Sequence, residues 1–390
     1  MRRKILLLLI IALIPFTFSH HTAYAQEKDV EESLSEEIEE LINSIDLNAF
    51  EEYLREIPKI LVGGTSLKSN LLSLIKGETK IDFKGITDYV LALLFSGVKQ
   101  KLPTFTAIFA LLIICAVVNS IKPDKLGGGI YEIVRFACFS VIVTVVVTVC
   151  YSLTVQAKNA IEKTGKAVQS VFPIMLALMT ATGNSSSVAV YSPTVLFMSD
   201  FIVIIVNKII FPIILGMLAI CVISNVCKTV KLNGLLNFSS STLKWIIGLI
   251  ATVFSLFLTV RGLNSGVYDG ISIRALKYTV NSSVPIVGGI LRDGLDLILA
   301  SGVLVKNALG GVAILIIFGI VIQPIIEIAC VSLALKLVTA VLEPINDTQT
   351  TGFINSVTSV INFAIATVII VALMYVVVII LAICSSQYIF

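Results

Sequence analysis

Long apolar runs separated by short polar joints set the expected architecture. From residue 104 onward, hydrophobic stretches fall at about 104–121, 133–155, 188–206, 209–226, 245–262, 302–320, 322–341 and 357–384. Each is long enough, or nearly so, to cross a hydrocarbon layer of ~30 Å as an α-helix, which takes about 20 residues and satisfies every backbone group internally. A shorter run, 168–182, contains Pro173 and reads either as a ninth span or as a re-entrant hairpin. The expected fold is all-α: a polytopic membrane protein with eight to nine transmembrane helices.

The first hundred residues follow other patterns. Arg2, Arg3 and Lys4 precede an apolar core, Ile5 to Phe18, and Ala23-Tyr24-Ala25 offers a small-x-small cleavage site. That is the order of a secretory signal peptide, residues 1–25, removed before Gln26. An uncleaved first helix is the competing reading. Residues 26–103 form an acidic, amphipathic region expected on the extracytoplasmic side, and 104–390 form the membrane domain. Val30, Leu34, Ile38, Leu41, Ile42 and Ile45 recur at three- and four-residue steps among glutamates, the period of an amphipathic helix, which Pro58 would end. A second helix around Phe50, Tyr53, Leu54 and Ile57 could pack on the first. So small a region buries little by itself, so its apolar stripe either docks on a partner or the membrane body, or stays a solvated acidic leader.

Two segments share the pattern V-[QN]-S-x-x-P-I: Val168 to Ile174 and Val280 to Ile286, with Pro173 and Pro285 112 residues apart. The same spacing separates Pro212-Ile213-Ile214 from Pro324-Ile325-Ile326. Together they suggest an internal duplication, with units of about 133–226 and 245–338, each interrupted by a proline-broken segment. Such broken repeats point to a transporter-like fold with its pathway between the units. If the broken segments re-enter, the repeat is inverted; if they cross, it is parallel. Proline removes a backbone donor and crowds the preceding turn, so helices are expected to break at Pro173 and Pro285. Ser170 and Ser282 are placed to serve the freed carbonyls.

Charge adds topology. The chain is 57% hydrophobic and 14% charged, with a formal net charge of +3 that Arg2, Arg3 and Lys4 account for. Residues 26–56 hold twelve Asp or Glu against Lys28 and Arg55, so a strongly acidic arm precedes a mildly basic body. The body's lysines sit mostly in short joints, as orientation signals and headgroup contacts, and no nucleic-acid surface is expected. The 227–244 joint carries Lys228, Lys231 and Lys244 without an acid and reads as cytoplasmic; 342–352 carries Glu343 and Asp347 without a base and reads as external. The two histidines, His20 and His21, lie in the signal peptide, and the seven cysteines sit in or beside apolar runs with no C-x-x-C pair. No metal site, cofactor or enzymatic activity is therefore expected.

Polar groups inside apolar runs are the candidate functional residues, because charge at membrane depth is costly and is retained when it faces a cavity or a partner. Asp200 and Glu327 sit inside runs, and Lys336 lies where it can snorkel. The stretch holding Asp269, Arg274, Lys277, Arg292, Asp293, Asp296 and Lys306 is the most charged of the body. It reads either as part of a pathway or partner contact, or as an amphipathic helix lying in the headgroups. Arg292 and Asp296 stand four apart and can pair on a helix.

Asp269 to Tyr278 (DGISIRALKY), then Pro285-Ile286-Val287-Gly288, Lys306 to Gly310 (KNALG) and Leu342 to Asp347 (LEPIND) resemble the stage III sporulation protein AE family of endospore-forming bacteria. The resemblance runs from the signal peptide to the C-terminus. It implies a multi-pass protein of the mother-cell membrane around the forespore, working with other proteins of the stage III A operon, including a cytosolic ATPase and ring-forming subunits. It supplies no catalytic residues. A transport or channel subunit is the leading expectation, and a non-conducting scaffold that anchors the other members is the alternative.

Overall fold

A computed structural model describes residues 27–44, 67–75, 128–182, 185–226, 232–262, 288–342 and 348–384, with Tyr53 and scattered positions between 87 and 114. Every element it describes is helical. Two short helices, α1 (Glu27–Ser44) and α2 (Leu67–Ile75), precede the body. Then come α3 (Gly128–Ala181), α4 (Ser185–Ile205), a π turn (Val206–Ile210), α5 (Phe211–Val226), α6 (Asn233–Gly262), α7 (Gly288–Leu342) and α8 (Thr348–Cys384). Among the described residues, five stretches are long and apolar enough to cross a membrane: Glu132–Ala181, Phe197–Val226, Asn233–Leu256, Leu297–Val341 and Gln349–Cys384.

The body is an up-and-down bundle of long rods. Along α3 and α4 the pairs Gln169–Asp200 and Glu162–Asn207 descend one chain as they climb the other, so these rods are antiparallel. α7 runs antiparallel to α3, with Thr182 against Gly302 and Met175 against Gly310. α8 runs beside α3 in the same direction, Phe139 meeting Phe353 edge-on at 5.8 Å near one end and Gly165 meeting Tyr375 farther along. The interior is filled by α8, whose Ile354, Val357, Val360, Ile361, Ala364 and Val368 are fully buried. Small residues let the rods close up. A Cβ on Gly302 would lie 2.5 Å from Thr182 Cγ2, and one on Gly310 2.6 Å from Ile383 Cδ1, so neither position has room for a side chain.

Hydroxyls inside the rods bond back to their own helix, as Thr154 does to the Cys150 carbonyl at 2.7 Å and Thr358 to the Ile354 carbonyl at 2.7 Å. This is how Ser and Thr are tolerated in an apolar bundle without a partner across it.

Several expectations are corrected. The runs 133–155 and 168–182 are one helix, α3, continuous through Pro173; 302–320 and 322–341 are likewise one helix, α7, continuous through Pro324. The polar joint between the first two, Gln156 to Gln169, is made largely of good helix formers, so it continues the helix rather than turning it. The rod from 185 to 226 is also continuous, but its backbone adjusts: the Phe211 N–H donates to the Val206 carbonyl, a π-type bond one residue before Pro212. The wider π turn accommodates the proline, which leaves the Lys208 carbonyl without its usual donor. Ser170 donates to the Lys166 carbonyl at 3.0 Å, not to the Gln169 carbonyl that Pro173 frees. The run 104–121 falls largely outside the described residues, as do Pro285 and Ser282.

Among the described residues the duplication is not confirmed. The turn at Thr182, after the end of α3, corresponds, 112 residues on, to position 294 inside α7. Joint polarity also misled the orientation. Gln349 Nε2 donates to the Asn225 carbonyl at 2.8 Å, which puts the end of α5, where the 227–244 joint begins, and the start of α8, where the 342–352 joint finishes, at one end of the bundle. Both therefore face one side; the three lysines outweigh Glu343 and Asp347 as a signal, because acidic residues contribute little to topology.

Candidate functional site

The described polarity gathers where α3 passes α4 and the π turn. Lys158, Glu162, Lys166 and Gln169 occupy successive turns of one α3 face. Opposite them, Asp200 and Asn207 stand seven apart, two turns along the antiparallel rod. Gln169 Nε2 donates to Asp200 Oδ1 at 2.6 Å, and Asn207 Nδ2 donates to Glu162 Oε1 at 2.7 Å. Lys158 Nζ lies 3.9 Å from Glu162 Oε1, with both side chains about 40% exposed. Such a partly exposed ion pair contributes little stability. Asp200, Lys163, Lys166 and Lys208 are exposed on the same stretch.

Gly165 sits in the middle of the seam because nothing larger fits. A Cβ there would lie 2.7 Å from Val203 Cγ2 and 3.2 Å from the Tyr375 hydroxyl. That hydroxyl, fully enclosed, donates to the Ser199 carbonyl at 3.2 Å and faces Ser199 Oγ at 3.4 Å, tying α8 to α4 next to Asp200. The seam thus joins three rods, with Gly165 setting their distance. Beside it, Val206 and Ile210 of the π turn face Ile250 of α6 and Val371 of α8 across a small apolar cleft. Asn207 Oδ1 is enclosed and has no hydrogen-bond partner.

The other sequence candidates are dispersed. Glu327 is buried in α7 and accepts a hydrogen bond from Gln323 Nε2 at 3.0 Å, one turn earlier. Lys336 is exposed near the end of α7. Arg274 and Lys277 lie outside the described residues, as does Asp269, while Arg292, Asp293 and Asp296 are placed only as positions on the first turns of α7. Pro212 and Pro324 lie in different rods, α5 and α7. Among the described residues no cluster of His, Cys, Asp and Glu could hold a metal ion.

Sequence reasoning named Asp200 but not its setting. Glu162, Gln169, Asn207 and Tyr375 were missed because they sit in different runs. The available signal was spacing: four polar residues on one α3 face, and two polar residues a heptad apart on α4 and the π turn. Lys306 was noted only as one charge among several. It is completely buried, and its Nζ donates to the Ala382 and Ile383 carbonyls, each at 2.9 Å, in the last turn of α8. Those carbonyls have no intrahelical donor, so the lysine caps the helix end.

Comparison with known proteins adds the family. A profile described as stage III sporulation protein AE matches residues 65–386. The chain is also similar to the stage III sporulation protein AE of Bacillus subtilis (strain 168), 21% identical over 310 residues, covering 80% of this chain and 78% of that protein. No solved structure matches.

Proposed function

The chain belongs to the stage III sporulation protein AE family, and from that premise we propose that it is a multi-pass membrane subunit that anchors other members of a sporulation assembly, without catalysis. One observation carries this reading. The inside of the described bundle is packed with apolar side chains, whereas most of its described charged side chains reach the outside, exposed at Lys166, Asp200 and Lys208 and half-exposed at Lys158 and Glu162. An apolar, close-packed interior favours a solid anchor, and charge on an otherwise apolar exterior is a feature of contact surfaces. The two buried charged side chains are taken up locally, Lys306 by the end of α8 and Glu327 with Gln323. The mother-cell membrane around the forespore is the proposed location, and the operon's ATPase and ring-forming proteins are the proposed clients.

The test replaces Glu162→Gln and Asp200→Asn together in sporulating cells, with protein level in the membrane as the control. If the protein anchors, the variant stays in the membrane at normal level while the other assembly members no longer co-purify with it. If the assembly remains intact and forespore activity is nonetheless lost, the transport reading replaces this one.

A further inference from the structure

We propose that the charged seam of α3, α4 and the π turn lies in the middle of the bilayer and is the docking surface for a transmembrane helix of another assembly member, one that carries carboxylates. This names the partner chemistry of the anchoring reading and rests on it. Height in the membrane follows from α8. At ~1.5 Å per residue, Phe363 to Cys384 extends about 33 Å, close to one hydrocarbon layer of ~30 Å, and this stretch contains no charged or amide side chain. Its hydroxyls are satisfied, Thr367 donating to the Phe363 carbonyl at 2.8 Å and Tyr375 to the Ser199 carbonyl at 3.2 Å.

Two neighbouring rods are apolar over the same height. α7 passes it from Ser332, whose hydroxyl donates to Asn362 Oδ1 at 2.9 Å, to Gly310, which packs against Ile383. Between them the one charged residue is Glu327, and it is buried. α6 runs alongside, with Lys244 Nζ 6.0 Å from the centre of the Phe363 ring, and carries no charge from Trp245 to Val260. Just before Phe363 the exterior turns polar: Asn355, Ser359 and Asn362 of α8, Lys244 of α6 and Lys336 of α7 are exposed, as is Trp245. Lysine and tryptophan at the edge of apolar stretches mark a headgroup boundary. The start of α3, where Phe139 meets Phe353, lies outside the layer together with the polar start of α8, so its exposed Ile133 and Phe136 are apolar surface for protein rather than lipid to cover.

The seam falls well inside this layer. Gly165 packs against the Tyr375 hydroxyl, the Ser199 carbonyl accepts from that same hydroxyl, and Val206 and Ile210 face Val371. Lys163, Lys166, Asp200 and Lys208, all exposed, are therefore level with Val371 to Tyr375, more than about 10 Å from either boundary and too deep to snorkel out. Charge held at that depth faces a cavity or a partner rather than lipid, and this charge looks outward from the bundle. Four lysines, Lys158, Lys163, Lys166 and Lys208, stand against Glu162 and Asp200, so positive charge is in excess. Both carboxylates already accept side-chain amides, from Asn207 and Gln169. A helix that complements the seam brings carboxylates of its own.

The test is photocrosslinking in native membranes of sporulating cells, with benzoylphenylalanine in place of Ile204, exposed one turn from both Asp200 and Lys208, and peptide mapping by mass spectrometry. The adduct should be a membrane-spanning peptide of another assembly member that contains Asp or Glu, and it should be lost when Lys166→Gln and Lys208→Gln are combined. The same probe at Leu249, exposed on α6 at the same height, should capture lipid only. Adducts at Ile204 confined to lipid, to a second copy of this chain, or to an uncharged or extramembrane peptide would overturn the proposal, as would an adduct that persists unchanged in the double variant. The adduct of the parent decides even if the double variant is unstable. Assembly members that co-purify while Ile204 captures lipid alone would leave the anchoring role standing and remove this one.

Discussion

Lys306 should be the tie that holds the last turn of α8, and Lys306→Met is the substitution that isolates it. Methionine keeps most of the length and apolar stem but cannot donate to the Ala382 and Ile383 carbonyls, now 2.9 Å from the lysine Nζ. Hydrogen bonds to a charged donor are worth about 1.5–3 kcal/mol each, and a buried carbonyl left without a donor costs about 1–3 kcal/mol. Against this, removing an ammonium from a site with no solvent exposure relieves a desolvation cost of several kcal/mol. The two effects nearly oppose each other. A net loss on the order of 2–3 kcal/mol remains, because the ammonium was fully engaged and the orphaned carbonyls have no alternative donor within the helix. That loss should be local, confined to the last turn of α8 and its contact with Gly310, and it corresponds to about a 30- to 150-fold rise in opening there. Hydrogen–deuterium exchange on the purified protein in detergent reads it directly, as faster exchange of amides 380–384 with the middle of α8 unchanged. Equal exchange in the variant and the parent would refute the capping argument, and uniform acceleration along α8 would show that the lysine supports the whole rod instead.

Gly165→Ala should lower the thermal midpoint in detergent by the equivalent of about 1–3 kcal/mol, since the new methyl must displace Val203 or Tyr375, whereas Gly311→Ala, with nothing within 4 Å, should match the parent. Tyr375→Phe removes the hydroxyl bonded to Ser199 and should cost about 1 kcal/mol in the same measurement, with no change in membrane insertion. Asn207→Leu leaves Glu162 without its amide donor, so crosslinking between cysteines placed on α3 and the π turn should broaden relative to the parent; an unchanged pattern would mean that packing alone sets the seam. N-terminal sequencing of the membrane-bound protein should begin at Gln26, and recovery of Met1 would add a helix to the body.

What the sequence determined by itself is the class of protein and the positions of its apolar segments. Hydrophobic runs of this length have one stable solution in lipid, so α-helix follows from solvent alone. The same local logic made the glutamate-rich stretch around Ile38 and Ile42 an amphipathic helix, and left open what covered its apolar side. Where one helix ends and the next begins was decided elsewhere. Pro173 and Pro324 look like breaks in one dimension, yet each costs only one backbone bond in a rod held on several sides by neighbours, so the helices run through them. At Pro212 the backbone widens into a π turn instead. Spacing along the chain suggested a duplication because prolines recur at one interval, but the turn at Thr182 has no match in α7.

Polarity shows the same division. Asp200 was visible as a charge in an apolar run, while its partner Gln169 lies 31 residues away and meets it only because two rods pack antiparallel. Lys306 and the carbonyls it caps are separated by 76 and 77 residues, and no local pattern announces that a buried lysine is the end cap of another helix. Composition fixed the solvent and hence the helices; contacts between residues distant in sequence fixed where helices end, which charges are spent inside, and which remain outside for a partner.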